Sequence, residues 1–183
     1  MALIIFAAFT VILLAWFIFT YNRFIRLKNM MREAWSGIDV QLKRRHDLIP
    51  NLVESVKGYA AHEKSLFKEI TELRGRCMTA GSVREKGPAE TAFSEGIRRL
   101  FAVAEAYPAL RANENFLELQ KNLSELEDQI QLARRYYNGA ARNLNILIES
   151  FPSMIVARML SLVPADFFEI DRAIEGKTPE VKF

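Results

Sequence analysis

The sequence is short of most things that catalytic, secreted or sheet-based proteins rely on. It has one cysteine, Cys77, so no disulfide can close within the chain, which fits a reducing compartment. Only two histidines accompany that cysteine, and a zinc site is not expected from so few ligands. Eight glycines and six prolines in 183 residues are few for an all-β fold, which needs a turn every 8–12 residues or so. Charge of one sign is also scarce. The net charge is +3 and the pI about 9.1, with no nucleic-acid reading motif, so nucleic acid is not an expected partner. What is abundant is apolar residues, at 50%, enough for one membrane segment and one domain with a core.

The first abundance is a run without charge. Residues 2–20, "ALIIFAAFTVILLAWFIFT", would be roughly 28 Å long as a helix, about the thickness of a bilayer core. A cleaved signal peptide wants a basic region before the apolar run and a small-residue site after it. Only Met1 precedes this run, so residues 1–21 read as an uncleaved anchor. Arg23, Arg26, Lys28 and Arg32 follow it, against Glu33 alone. Positive charge stays on the cytoplasmic side, so the expected topology is single-pass, with the N-terminus outside and the domain in the cytoplasm.

The second abundance is sevenfold spacing. Phe24, Met31, Ile38, Arg45, Leu52 and Tyr59 fall on one line, with Trp35, Leu42, Ile49 and Val56 on the companion line. This is a heptad seam of the kind that packs helices side by side. Gly58 is expected to turn the chain, a continuous helix over 22–79 being the alternative. A second helix over about 62–79 points Leu66, Phe67, Ile70, Leu73 and Cys77 inward. "TAGSVREKGP" (79–88) reads as a loop, with Pro88 opening a third helix to about 106 that carries Phe93, Ile97, Leu100, Phe101 and Ala104. The fourth helix has Phe116, Leu123, Ile130, Tyr137, Leu144 and Phe151 on one line and Leu119, Leu126, Ala133, Ala140 and Leu147 on its companion. Asn115 and Glu118 match a capping pattern, and Pro152 closes the helix.

The expected fold is therefore all-α: a single N-terminal transmembrane helix (1–21), an antiparallel up-down-up-down four-helix bundle (22–151), and a short amphipathic C-terminal helix and tail (152–183). A long intermolecular coiled coil is the alternative, and the loops at 79–88 and 107–113 speak for packing within one chain.

The stretch "QLKRRHDLIPNLV" (41–53) interrupts the seam with charge. Lys43 and Arg44 fall off the seam and are expected in solvent. Arg45 falls on it and needs a carboxylate, because an unpaired buried charge costs several kcal/mol. Counting levels along antiparallel helices brings Glu127, in "SELEDQI", nearest to it. Pro50 frees the carbonyl of His46 and is expected to kink the helix, with Asp47 capping the restarted turn through the Ile49 N–H. Lys43, Arg44 and His46 would form a contact surface for another protein at that kink.

Catalytic readings are thin. His46 and Asp47 are neighbours on a helix and do not face each other. "HE" at 62–63 lacks the second histidine of a zinc-protease helix, and no Gly-rich nucleotide loop is present. "ARRYYN" (133–138) interleaves cations with aromatics, but Tyr137 and Ala133 are seam positions, so core packing explains it. An enzyme of unknown class would have to use His46 or His62.

Taken together, "AWSGIDVQLKRRHDLIPNLVESVKGYAAHE" (34–63), "YPALRANENFLELQ" (107–120), "ARRYYNGAARNLN" (133–145), "ESFP" (149–152) and "PADFFEI" (164–170) resemble the LemA family of bacterial membrane proteins. The resemblance implies a helical bundle behind one transmembrane helix in the bacterial inner (cytoplasmic) membrane. It implies no cofactor and no catalytic residue. It implies a role in membrane organisation or beside a membrane-bound zinc metalloprotease of the heat-shock type. The expected function is a membrane-anchored scaffold or adaptor acting by protein contact as a homo- or hetero-oligomer, the alternatives being the enzyme above or a purely self-assembling structural organiser of the membrane.

Residues 152–170 carry Met154, Ile155, Val156, Met159, Leu160, Leu162 and Val163 over too short a run to span a bilayer. If the fourth helix returns to the level of Phe24, Arg158 joins Arg23, Arg26 and Lys28 beside the lipid headgroups. The segment is then either an interfacial helix, in the headgroup layer or packed on the anchor's exit, or a cap that closes the bottom of the bundle. Phe167, Phe168 and Ile170 would stack on that lower end, leaving "DRAIEGKTPEVKF" (171–183) as a solvated tail.

Overall fold

The computed structural model describes residues 1–169 and is helical, with no strand among the described residues. Six helices follow in chain order: α1 Ala2–Lys57, α2 Lys64–Thr79, α3 Val83–Glu105, α4 Pro108–Arg111, α5 Glu114–Glu149 and α6 Ser153–Met159. The chain divides into two compact units. The first joins Met1–Ile38 to Ala133–Phe167, and the second joins Asp39–Leu132 to Phe168 and Glu169. The long helices α1 and α5 contribute to both. Ile170 and the tail expected at 171–183 lie outside the described residues.

The seam residues explain the packing of the second unit. Ile49, Leu52, Val56, Leu66, Ile70, Phe93, Leu100, Phe116 and Leu123 share one buried cluster drawn from α1, α2, α3 and α5. Asp39 pairs with Lys86 and Arg45 reaches Ser94, so α1 and α3 run parallel. Tyr59 meets Asn113 while Arg45 meets Glu127, so α1 and α5 run antiparallel. Glu69 pairs with Arg99, and Leu73 and Ile70 lie against Gly96, the order expected of antiparallel α2 and α3. These segments form the up-down-up-down arrangement.

Helix ends follow local chemistry, and some expectations are met while others are corrected. α1 stops at Lys57, just before the turn expected at Gly58, and the alternative of a continuous helix over 22–79 falls away. It passes through Pro50 without ending. α3 starts at Val83, not at Pro88, because Ser82 and Glu85 form a reciprocal capping box. The Ser82 hydroxyl accepts the Glu85 N–H at 3.2 Å, and the Glu85 carboxylate accepts the N–H groups of Ser82 and Gly81. Those backbone bonds hold the Glu85 carboxyl below its ordinary value. α5 is capped by Asn113, whose side chain accepts the Phe116 N–H at 3.1 Å, rather than by Asn115. A short helix, α4, opens with Pro108 at its first turn inside the expected loop 107–113.

In the first unit, Phe24, Leu144, Leu147, Ile148, Val156 and Ala157 are buried together, with Trp16, Phe17, Leu27 and Met31 packed against them. Tyr137 is buried, its ring 5.3 Å from that of Trp35, and its hydroxyl donates to the Asp166 carbonyl at 2.9 Å. Burial, and secondarily the Asp166 charge, raises its pKa. Asn145 clamps Ala165 through both backbone groups, at 2.9 and 2.7 Å. These bonds strap the segment after α6 along α5. The segment ends in the second unit, where Phe168 is buried, while Phe167 stays exposed. The stacking expected of Phe167 is thus not made. Phe151, expected on the seam, is 79% exposed because α5 ends two residues earlier.

Two glycines test this packing in opposite directions. Nothing lies within 4 Å of a Cβ placed on Gly139, whereas one on Gly87 would stand 2.5 Å from the Glu169 carbonyl. Gly139→Ala should stabilise the protein by about 0.5–1 kcal/mol through lower unfolded-chain entropy. Gly87→Ala should destabilise it and loosen Phe168. Thermal unfolding in detergent micelles checks both signs, and amide exchange at 165–169 checks the loosening.

Candidate functional site

The most unusual chemistry in the described residues is a charge network inside the second unit. Arg45, on the seam of α1, is 1% exposed and heads the largest fully buried side chains. A guanidinium cannot shed its proton in a protein, so its burial has to be matched by fixed acceptors. Three side chains match it. Its Nη2 pairs with Glu90 Oε2 on α3, and its Nη1 donates to Glu127 Oε1 on α5 at 2.5 Å and to Ser94 Oγ on α3 at 2.9 Å. The cation also lies 5.5 Å above the ring of Phe93. Its Nε is buried with no partner among the described residues.

The second oxygen of Glu90 is used as well. His46 Nε2–H donates to Glu90 Oε1 at 3.0 Å, with the His46 ring edge-on to Phe93. Burial pushes the Glu90 carboxyl up, but the His46 hydrogen bond and the Arg45 charge outweigh it and hold the group below the ordinary carboxylate value. Burial likewise pushes the Arg45 guanidinium down, and Glu127 and Glu90 outweigh that in turn. The result is a fixed network, built on the charged Arg45 guanidinium and the ionised Glu90 carboxylate, that ties α1 to α3 and α5 at one level.

α2 enters through the proline. Pro50 has no N–H for the carbonyl of His46. Arg74 on α2 supplies the missing donor, its Nε donating to that carbonyl at 2.7 Å. Asp47 does not cap Ile49 as expected. It is an exposed residue that faces Arg74 Nη2 at 4.0 Å. His46 is also corrected: it is 7% exposed and committed to Glu90, so it cannot form a contact surface. Lys43 and Arg44 are exposed, and His62 is exposed in the turn after α1. Arg23, Arg26, Lys28 and Arg158 are exposed residues of the first unit.

Glu90, Ser94 and Arg74 are absent from a reading based on α1 and α5 alone. A signal existed for Glu90. It stands three residues before Phe93 and seven before Ile97, on the inward face of α3, where an acid is as conspicuous as Arg45 is on its own seam.

The network's reactive potential is low. Cys77, His46 and Glu90 bring potential ligand atoms within 4.8 Å of one another, beside a cleft of about 280 Å³ that Lys43, Asp47 and Lys86 also line. Burial pushes the Cys77 thiol up to about 12, and Glu90 adds to this, so the thiolate a nucleophile or metal ligand needs is suppressed. A metal ion would have to compete with the Arg45 guanidinium for Glu90. The arrangement suits an internal lock better than a catalytic triad or a metal centre.

Removing one partner should therefore be costly. Arg45→Met or Glu90→Ala should lower stability by about 3–5 kcal/mol, the penalty for stranding the remaining buried charge. Lys43→Ala and Arg44→Ala should stay within about 0.5 kcal/mol. Chemical unfolding in detergent measures both, and equal small effects at all positions would remove the lock. Because the folded-state pKa of Glu90 is depressed, its contribution is complete above about pH 4.3, the unfolded glutamate value, and is lost as pH falls below that through the folded value. Glu90→Gln should flatten this acid limb. Arg74→Ala, which strands the His46 carbonyl, should cost about 1–3 kcal/mol.

The comparisons with known proteins agree with this architecture in extent. Residues 34–183 match the model of the LemA family. Two magnetosome proteins, MamQ 1 and MamQ 2 of Paramagnetospirillum magneticum, are each 27% identical over 185 residues, covering 87% of this chain and 67% of the relative. Protein LemA of Metamycoplasma hominis is 29% identical over 186 residues, covering 97% of this chain and 84% of that one. The matched region takes in every residue of the Arg45 network, and the chain belongs to the LemA family.

Proposed function

We propose that this protein is a membrane-anchored helical scaffold or adaptor that works through protein–protein contacts. The observation that carries this reading is the continuity of α1. One helix holds a stretch long and apolar enough to cross a membrane, none of it buried, and runs without a linker into packed residues from Thr20 and Phe24 onward. The cations after that stretch support a cytoplasmic placement of the domain in a bacterial inner membrane. The relatives' names point to a magnetosome in two cases and to no reaction in any.

An enzymatic role finds less support. His46 is spent on Glu90, the Cys77 thiol is held protonated, and His62 stands exposed in a turn. Lys43 and Arg44 are exposed beside the network and offer a partner a cationic surface. Candidate partners are a second copy and, from the family resemblance, a membrane zinc metalloprotease of the heat-shock type.

Crosslinking in native membranes followed by mass spectrometry should recover a reproducible higher-mass species. Lys43→Glu with Arg44→Glu should reduce its yield while leaving thermal unfolding unchanged. Recovery of monomer alone would overturn the scaffold reading, and self-crosslinks alone would make the protein a self-assembling organiser instead of an adaptor.

A further inference from the structure

α6 is packed on one side only. Ser153, Val156 and Ala157 are buried, while Ile155 and Met159, one turn apart, are 50% and 68% exposed. Phe151 before the helix and Val163 after it are 79% and 78% exposed. Residues one turn apart share a helix face, so Ile155 and Met159 form an apolar strip, and the flanking Phe151 and Val163 add exposed apolar surface at its ends. A contiguous apolar strip flanked by further bare apolar side chains is the kind of surface that meets a partner or a membrane.

The position of the helix says what covers that surface. Val156 and Ala157 belong to the buried cluster against which Trp16 and Phe17 pack. Both of those residues lie within the uncharged run of α1. α6 is therefore level with the last turns of the segment that enters the bilayer. Seven residues make roughly 10 Å of helix, far too short to span but sufficient to lie in the plane of the interface. Arg158 is the only charge between Phe151 and Val163 and is exposed, as are Arg23, Arg26 and Lys28 just past the uncharged run. Glu149 is the one acid directly before the segment. Four exposed cations in the same unit as the apolar strip are complementary to phosphate headgroups over acyl chains.

We propose that α6, with Phe151 and Val163, docks in the headgroup layer of the same bilayer that α1 enters and binds anionic phospholipid through Arg158 and the cations after the anchor. The segment adds a second membrane attachment to the first unit, independent of any protein partner.

The full chain, reconstituted into vesicles of phosphatidylcholine with or without phosphatidylglycerol, tests this. Ile155→Cys, Met159→Cys and, for comparison, the exposed Leu117→Cys carry an environment-sensitive nitrobenzoxadiazole label. Cys77 is buried with its thiol pushed up to about 12, so it does not compete at neutral pH. Labels at 155 and 159 should emit at shorter wavelength and be quenched by lipids bearing a nitroxide near the headgroup, more strongly with phosphatidylglycerol present. The label at 117 should emit as in water. Arg158→Glu in the Met159→Cys background should reduce the gain from phosphatidylglycerol, and an undiminished gain would overturn the role of Arg158. Water-like emission at 155 and 159 in both vesicle types would overturn the proposal. So would a blue shift that lipid nitroxides do not quench and that grows with protein density, because a second copy would then cover the strip.

Discussion

A guanidinium that cannot be neutralised sits inside the second unit, and much of that unit is arranged around it. Arg45 has to find fixed anions because its desolvation is otherwise worth several kcal/mol. Glu90 and Glu127 come from two different helices, so satisfying one side chain on α1 sets the level of both α3 and α5. A slide of either helix by one turn, about 5.4 Å, would break the pairing and strand charges on both sides. Apolar seam contacts tolerate such slips far better, since one leucine replaces another. The network therefore contributes register, whatever its net contribution to stability.

The same stretch of α1 explains why α2 cannot drift. Pro50 leaves the His46 carbonyl without its helical donor, and Arg74 on α2 fills the gap. Five consecutive residues thus do four different things. Lys43 and Arg44 face solvent, Arg45 enters the core, His46 supports the acid that holds Arg45, and Asp47 faces Arg74 from the surface. A cationic run that would ordinarily be a solvated face is split by helical geometry into an exposed half and a locked half.

That lock also shapes the functional reading. The histidine that could have made a reactive site is spent on a hydrogen bond to Glu90, the thiol is kept protonated by burial, and the carboxylate is paired with Arg45. What remains available is surface, including the cations at 43 and 44 and the apolar strip of α6, which packs with residues of the apolar stretch of α1.

Local pattern determined a good deal by itself. Periods of seven and an uncharged run of bilayer length specify helices, their inward faces and a candidate membrane stretch, because side-chain spacing on a helix is a property of the backbone. The seam also identified Arg45 as a buried cation in need of an acid, and level-counting led to Glu127. Ser82 with Glu85, and Asn113 at the start of α5, were legible caps that the apolar pattern alone overlooked. Tertiary structure decided what depends on which helices are neighbours. Only the parallel packing of α3 on α1 makes Glu90 the deepest partner of Arg45, and only the approach of α2 gives the proline-freed carbonyl to Arg74. The end of α5 two residues before Phe151, with the packing of Val156 and Ala157 beside Phe24, turns an expected seam residue outward and leaves Ile155 and Met159 bare. Spacing along one chain says which way a side chain faces; what stands opposite it is settled when the helices meet.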